Sequence, residues 1–255
     1  MIYHSILEKK KAGTKQLAVL VDPDNINKEQ LFKIIDKSIL SGVDYFFVGG
    51  SLMVSDKLDE CIVTLKENSN IPAILFPGSP MQISSHADGI LFLSLISGRN
   101  PEALIGYHVI AAPYVQKAQL EVLPTGYMLI DGGAPTTVSY MSNSAPIPND
   151  KNDIARSTAM AGEMLGLKLI YMDAGSGAKK SITPEMIAEV SENTKVPLIV
   201  GGGINTSEKA ADACKAGADI IVIGNAVEQN PTLLNEISSA VKEQKHAVSR
   251  HIESR

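Results

Sequence analysis

Eight short apolar runs recur along the chain: Leu17 to Val21, Tyr45 to Val48, Ala73 to Phe76, Gly89 to Leu93, Tyr127 to Ile130, Leu169 to Met172, Leu198 to Val200 and Ile220 to Ile223. Each is brief, rich in branched or aromatic residues, and free of strict polar alternation. That pattern predicts strands buried on both faces, as in a parallel sheet. Amphipathic, helix-patterned segments separate most of them. Eight such units in 255 residues predict a closed α/β barrel of the (β/α)8 TIM type rather than an open doubly wound sheet. No repeat, low-complexity tract or linker interrupts residues 1–255, so one domain is expected.

Helix punctuation supports these units. Thr183-Pro184-Glu185 places a capping hydroxyl before proline at the first helical position. Asn205 and Glu208 have capping-box spacing, and Asp24 is expected to cap a helix from Asn27 to Leu40. Asn230-Pro231 restarts the last helix, leaving a short extra segment after the eighth strand. Two stretches are irregular. Only twelve residues separate Phe76 from Gly89, which is tight for a helical crossover, so the third helix should be short or missing. The stretch from Asp131 to Asp153 is long and rich in glycine and proline, which predicts a lid or an unrecognised element.

Composition narrows the function. With 44% apolar residues a full core is available. A net charge of −5 counts against a nucleic-acid surface. No apolar stretch reaches the roughly 20 residues of a membrane span, and the start of the chain lacks the long apolar core of a signal peptide. Lys9-Lys10-Lys11 reads as a solvated segment. Cys61 and Cys214 are far apart without metal-ligand spacing, so they are expected to be reduced thiols in a cytoplasmic protein.

Three glycine-rich turns end the last three predicted strands: Tyr171-Met172-Asp173-Ala174-Gly175-Ser176-Gly177, Gly201-Gly202-Gly203-Ile204 and Gly224-Asn225-Ala226. Each opens toward a helix, where backbone N–H groups favour an anion, and three together read as one phosphate cradle. At the other side of the strand ends, Asp22 and Ser51 offer hard oxygen ligands suited to Mg²⁺ held partly by substrate phosphate. Taken alone, Asp22 and Ser51 also read as turn or helix caps. Asp173 lies inside a phosphate turn, an awkward place for a carboxylate, which favours a chemical role. Tyr171 is equally a packing or a ligand residue, and the five histidines, His108 among them, show no catalytic spacing.

Together these residues resemble the geranylgeranylglyceryl phosphate synthase family, which includes bacterial heptaprenylglyceryl phosphate synthases. The likeness runs through Asp22-Pro23-Asp24, Gly50-Ser51, Pro146-Ile147-Pro148, the Tyr171 to Gly177 turn, Gly201 to Ile204 and Gly224-Asn225. It implies a barrel without the usual third helix, and an ether bond formed between sn-glycerol 1-phosphate and a polyprenyl diphosphate, here geranylgeranyl diphosphate. It further implies Mg²⁺ at Asp22 and Ser51, glycerol phosphate at residues 171–177, Gly202, Gly203, Gly224 and Asn225, and a homo-oligomer. Where Asp173 stands the family commonly has Glu as the base, so the carboxylate here is one methylene shorter. The tail-length limit, set by an aromatic residue in the fourth unit of archaeal members, aligns near Ala103, Leu104 and Tyr107, leaving Tyr114 or Phe92 as the expected stop. Two other readings remain open at this point: a flavin or sugar-phosphate barrel enzyme, and a non-catalytic barrel that senses glycerol phosphate.

Overall fold

In a computed structural model, which describes residues 1–224 and 233–244, eight parallel strands close into a barrel in the order of the chain. The strands are β1 (Gln16–Val21), β2 (Tyr45–Val48), β3 (Ala73–Leu75), β4 (Gly89–Leu95), β5 (Glu121–Leu129), β6 (Leu169–Asp173), β7 (Leu198–Gly201) and β8 (Ile220–Ile223), and β8 pairs with β1. The helices are α1 (Ile2–Lys11), α2 (Lys28–Ser41), α3 (Leu58–Asn68), α4 (Tyr107–Ala118, entered through a π turn at Glu102–Gly106), α5 (Thr137–Met141), α6 (Asn152–Met164), α7 (Pro184–Asn193), α8 (Ser207–Lys215) and α9 (Leu233–Glu243). Side chains alternate along each strand between two apolar layers. Tyr45, Phe47, Tyr127, Tyr171 and Val222 fill the barrel, whereas Phe46, Met128, Ile170, Met172 and Val200 face the helices.

All eight expected strands are present, and the differences lie at their ends. Residue 76 falls just outside β3, and β5 begins at Glu121, six residues earlier than its apolar run suggests. Pro124 and Gly126 disguise that first half, since both usually weaken strands. Gly126 is required by packing: a Cβ there would come within 2.8 Å of Ile96 Cδ1 and 2.9 Å of Ile170 Cδ1. Pro124 lacks an N–H, but its carbonyl accepts Lys168 N–H at 2.8 Å.

The third crossover carries no helix. Residues 76–88 run as a loop anchored by Gln82, whose amide donates to the Gly50 carbonyl (2.9 Å) and accepts Gly78 N–H (3.0 Å). The long stretch after β5 contains α5, capped reciprocally by Thr136 and Ser139, and a parallel bridge between Ile130 and Ile147. Thr183 caps α7 as expected. Two other caps differ from expectation. Asn27, not Asp24, caps α2 by a reciprocal pair with Gln30, and Thr206, not Asn205, caps α8.

Helix α1 closes the end of the barrel from which the strands start. Ile6 enters the interior layer, and the N–H groups of Ile2 and Tyr3 donate to Glu121 at 2.5 and 2.8 Å. Lys9 pairs with Asp44 (2.5 Å) and Lys10 with Asp219 (2.6 Å), so two of the three basic residues read as solvated are fastened to the barrel. The opposite end, where the strands finish, stays open. The expected segment at 225–229, the Asn230-Pro231 start and His246 and His251 lie outside the described residues.

Candidate active site

A cavity of about 670 Å³ occupies the open end of the barrel. Its wall brings together Asp22, Ser51, Tyr171, Asp173, Gly175, Ser176, Gly177, Gly202, Gly203 and Gly224, all of them singled out by the sequence. Met172 and Ala174 are not among them. Both are fully buried in the layer between strands and helices, because strand alternation turns them away from Tyr171 and Asp173. The Ala174 N–H is also engaged, donating to the Gly201 carbonyl at 3.1 Å. Asn225 lies outside the described residues.

Asp173 ends β6 almost wholly buried. One carboxylate oxygen accepts Tyr127 O–H at 2.6 Å and the other accepts Gly175 N–H at 2.8 Å. Burial raises its pKa above the usual carboxylate range, while these two hydrogen bonds pull the other way. A buried carboxylate with raised basicity, reachable from a cavity, is suited to accept a proton. Tyr127 and Tyr171 are held well above the ordinary phenol range, first by burial and then by the neighbouring Asp173 charge, so both stay protonated.

The glycine turns are tight for identifiable reasons. Gly202 has φ +80°, and a Cβ there would sit 2.6 Å from Ala174 N, 2.7 Å from Asp173 Oδ1 and 2.7 Å from Gly175 N. The second turn therefore lies directly on the first, and any side chain at 202 would separate them. Gly175 (φ +86°) is pressed by Thr136, whose Cγ2 would be 2.5 Å from an added Cβ. In this state Gly175 N–H serves Asp173, so that donor of the expected cradle is already in use.

Across the cavity, Asp22 follows β1 and accepts Asp24 N–H (3.0 Å) and the Asn25 side chain (2.7 Å). Burial is the main cause that raises its pKa. A Cβ on Gly50 would stand 3.0 Å from Asp22 Oδ2, so the end of β2 that carries Ser51 runs against this carboxylate. Asp24 does something different: it accepts Val54 N–H at 2.6 Å and Ser55 O–H, tying the loop after β2 to the loop after β1. Among the described residues no group of three or more His, Cys, Asp or Glu side chains could hold a metal. The donor set at Asp22 and Ser51 fits Mg²⁺ that takes its remaining oxygens from phosphate and water.

Three contributors were missed from sequence. Tyr127 and Phe76 line the cavity, and α5 brings Thr136, Thr137 and Val138 over the glycine turn. The register offered a signal for the first, since Tyr127 pairs with Tyr171 and Leu129 with Asp173. Beside Ser51, in the space where the crossover from β3 to β4 lacks a helix, a cleft is lined by Pro77, Pro80, Ile83, Phe92, Tyr107 and His108. His108 is a packing residue, meeting Phe92 edge-on at 4.5 Å between ring centroids. Of the two expected tail stops, Phe92 lines the cleft and Tyr114 is exposed on the outer side of α4.

Residues 6–245 match the PcrB family. The chain belongs to that family. It is 57% identical over 240 residues to a geranylgeranylglyceryl phosphate synthase of Chitinophaga pinensis, covering 94% of this chain and 95% of the relative. A Thermococcus gammatolerans protein of the same name is 44% identical over 231 residues, covering 88% and 91%. Among solved structures, (S)-3-O-geranylgeranylglyceryl phosphate synthase from Thermoplasma acidophilum, in complex with substrate sn-glycerol-1-phosphate, superposes with a TM-score of 0.90. It shares 32% identity and covers 95% of this chain and 99% of its own. The tryptophan synthase alpha chain of Legionella pneumophila, at 16% identity and a TM-score of 0.56 over 94% of this chain and 96% of its own, shares the barrel fold alone. The PcrB match spans both the Asp22–Ser51 corner and the turns at 171–177 and 201–204.

Proposed function

We propose that this PcrB-family chain is a prenyltransferase that joins sn-glycerol 1-phosphate to geranylgeranyl diphosphate, forming an ether and releasing diphosphate. The observation that supports this reading is the close approach of Gly202 to Asp173 and the 174–175 backbone, which brings a glycine turn and a buried carboxylate onto one wall. The acceptor phosphate sits on the turns at 175–177, 202–203 and 224, and its hydroxyl points toward Asp173. As the glycerol oxygen bonds to the allylic carbon, the bond from that carbon to diphosphate breaks with its electron pair, and the hydroxyl proton passes to Asp173. The turns fix the acceptor so that this encounter is effectively intramolecular. Asp22 and Ser51 would hold Mg²⁺, which when bound would supply charge neutralisation of the diphosphate leaving group.

The apolar tail enters the cleft left where the β3–β4 crossover lacks a helix. Burial at roughly 0.8 kcal/mol per CH₂ favours a long chain there. We assign self-association to the outer face of α4 and the π turn before it, where Ile105, Val109, Ile110 and Tyr114 are exposed and no Asp, Glu, Lys or Arg occurs from 103 to 116. Val109→Asp should shift the sedimentation coefficient to that of a monomer, and an unchanged value removes this surface. No helix among the described residues is long and apolar enough to cross a membrane. Two buried free cysteines are in keeping with a reducing, cytoplasmic setting.

Product mass spectrometry tests the reaction directly, using sn-glycerol 1-phosphate, its 3-phosphate enantiomer and a ladder of prenyl diphosphates. The expected product is geranylgeranylglyceryl phosphate from the 1-phosphate. Absence of any ether product overturns the reading, and preference for the thirty-five-carbon donor overturns the geranylgeranyl assignment.

A further inference from the structure

We infer that Phe76 is a catalytic residue whose ring face stabilises positive charge at the allylic carbon as the diphosphate departs. This rests on the prenyl-transfer reading above. The cavity wall contains no Lys or Arg among the described residues; its charged groups are the carboxylates Asp22 and Asp173. Such a wall is poorly suited to stabilising anionic charge by side chains and well suited to a cation. Its aromatic members are Phe76, Tyr127 and Tyr171.

Phe76 stands where the charge must form. It follows β3, and its N–H donates to the Val48 carbonyl at 2.9 Å. A Cβ on Gly49 would strike the Phe76 carbonyl at 2.3 Å, and one on Gly78 would strike Ser51 Cα at 2.7 Å, so this backbone lies along the Ser51 corner. In the other direction its ring reaches the Asp173 side, 5.3 Å from the Tyr171 ring and 6.0 Å from the Tyr127 ring. The carbon that passes from diphosphate to the glycerol oxygen travels between those two places. Tyr171 and Tyr127 are nearly inaccessible, and Tyr127 spends its hydroxyl on Asp173; Phe76 is half-buried, stacks one ring face on Tyr171 at 27° between planes, and lines the cavity. The negative face of a desolvated benzene ring attracts a cation. Since the charge exists only as the carbon–oxygen bond to diphosphate breaks, the attraction lowers the barrier without tightening ground-state binding.

The test is a single-turnover series on the full chain with sn-glycerol 1-phosphate, geranylgeranyl diphosphate and Mg²⁺. Phe76→Leu should slow the chemical step roughly 30-fold, equivalent to about 2 kcal/mol, with KM for both substrates changed far less. Replacing Phe76 by 4-fluoro- and then 3,4,5-trifluorophenylalanine keeps the shape while draining the ring face, and the rate should fall stepwise. This series decides the matter where Phe76→Leu fails to fold. A flat rate across the fluorinated ring series overturns the assignment and leaves the prenyl-transfer reading intact. No ether product from the unmodified protein overturns both.

Discussion

Replacing Gly202 by alanine separates two effects that the structure superimposes. Gly202 has φ +80°, where an L-residue costs roughly 1–2 kcal/mol. The new Cβ also overlaps Ala174 N, Gly175 N and Asp173 Oδ1 at 2.6–2.7 Å, and two of these are backbone atoms that cannot swing aside. Overpacking of that kind costs roughly 1–3 kcal/mol more. The sum, roughly 2–5 kcal/mol, is below the upper range of domain stability, and at roughly 2–4 °C per kcal/mol it lowers Tm by roughly 4–20 °C. Gly177 is the control. Its φ is +74°, yet nothing lies within 4 Å of an added Cβ, so Gly177→Ala carries the strain without the overlap.

Thermal unfolding and steady-state kinetics on both variants should therefore diverge. Gly202→Ala pushes the 174–175 backbone away from the acceptor site and should raise KM for sn-glycerol 1-phosphate roughly tenfold or more, a loss of about 1.4 kcal/mol. KM for geranylgeranyl diphosphate should barely move, because the site proposed for that substrate is the opposite corner. Gly177→Ala should lose roughly 2–8 °C and little acceptor affinity. Equal Tm losses in the two variants, or an unchanged acceptor KM in folded Gly202→Ala, would refute the reasoning.

Asp173→Asn should lower kcat by roughly 10²–10⁴ with a smaller effect on KM, as loss of a general base does; an unchanged kcat reassigns Asp173 to orientation. Tyr127→Phe removes a hydrogen bond that favours the Asp173 carboxylate, so the carboxyl pKa rises further. Because the ionised form is the base, the acid limb of the kcat/KM profile should move to higher pH, and a limb that stays or moves down contradicts the contact. Asp22→Ala should abolish most activity while leaving sn-glycerol 1-phosphate affinity, read by calorimetry, nearly intact. Full turnover in EDTA rules out Mg²⁺ at this corner.

The strands were legible because a barrel wall buried on both faces demands uninterrupted apolar runs, and little else in a sequence looks like that. The same rule failed at β5, where Pro124 and Gly126 interrupt the apolar run and Gly126 meets a packing need that only the neighbouring Ile96 and Ile170 reveal. Near the site, glycine turns were readable since positive φ leaves few residue choices, as at Gly175, Gly177, Gly202 and Gly203. Strand alternation from Tyr171 and Asp173 already turns the Met172 and Ala174 side chains toward the helices. Asp24 illustrates the opposite case. A carboxylate three residues ahead of a helix reads as a cap, but Asn27 already supplies that cap, and Asp24 is released to fasten the loop that begins at Ser51. Tyr127 and Phe76 carry no local signal at all: one is an ordinary strand residue and the other follows a strand end, until register and closure place Tyr127 on Asp173 and Phe76 against the Tyr127 and Tyr171 rings. What a sequence records poorly is therefore the part of the site made by barrel closure, where a side chain's chemistry depends on a strand dozens of residues away.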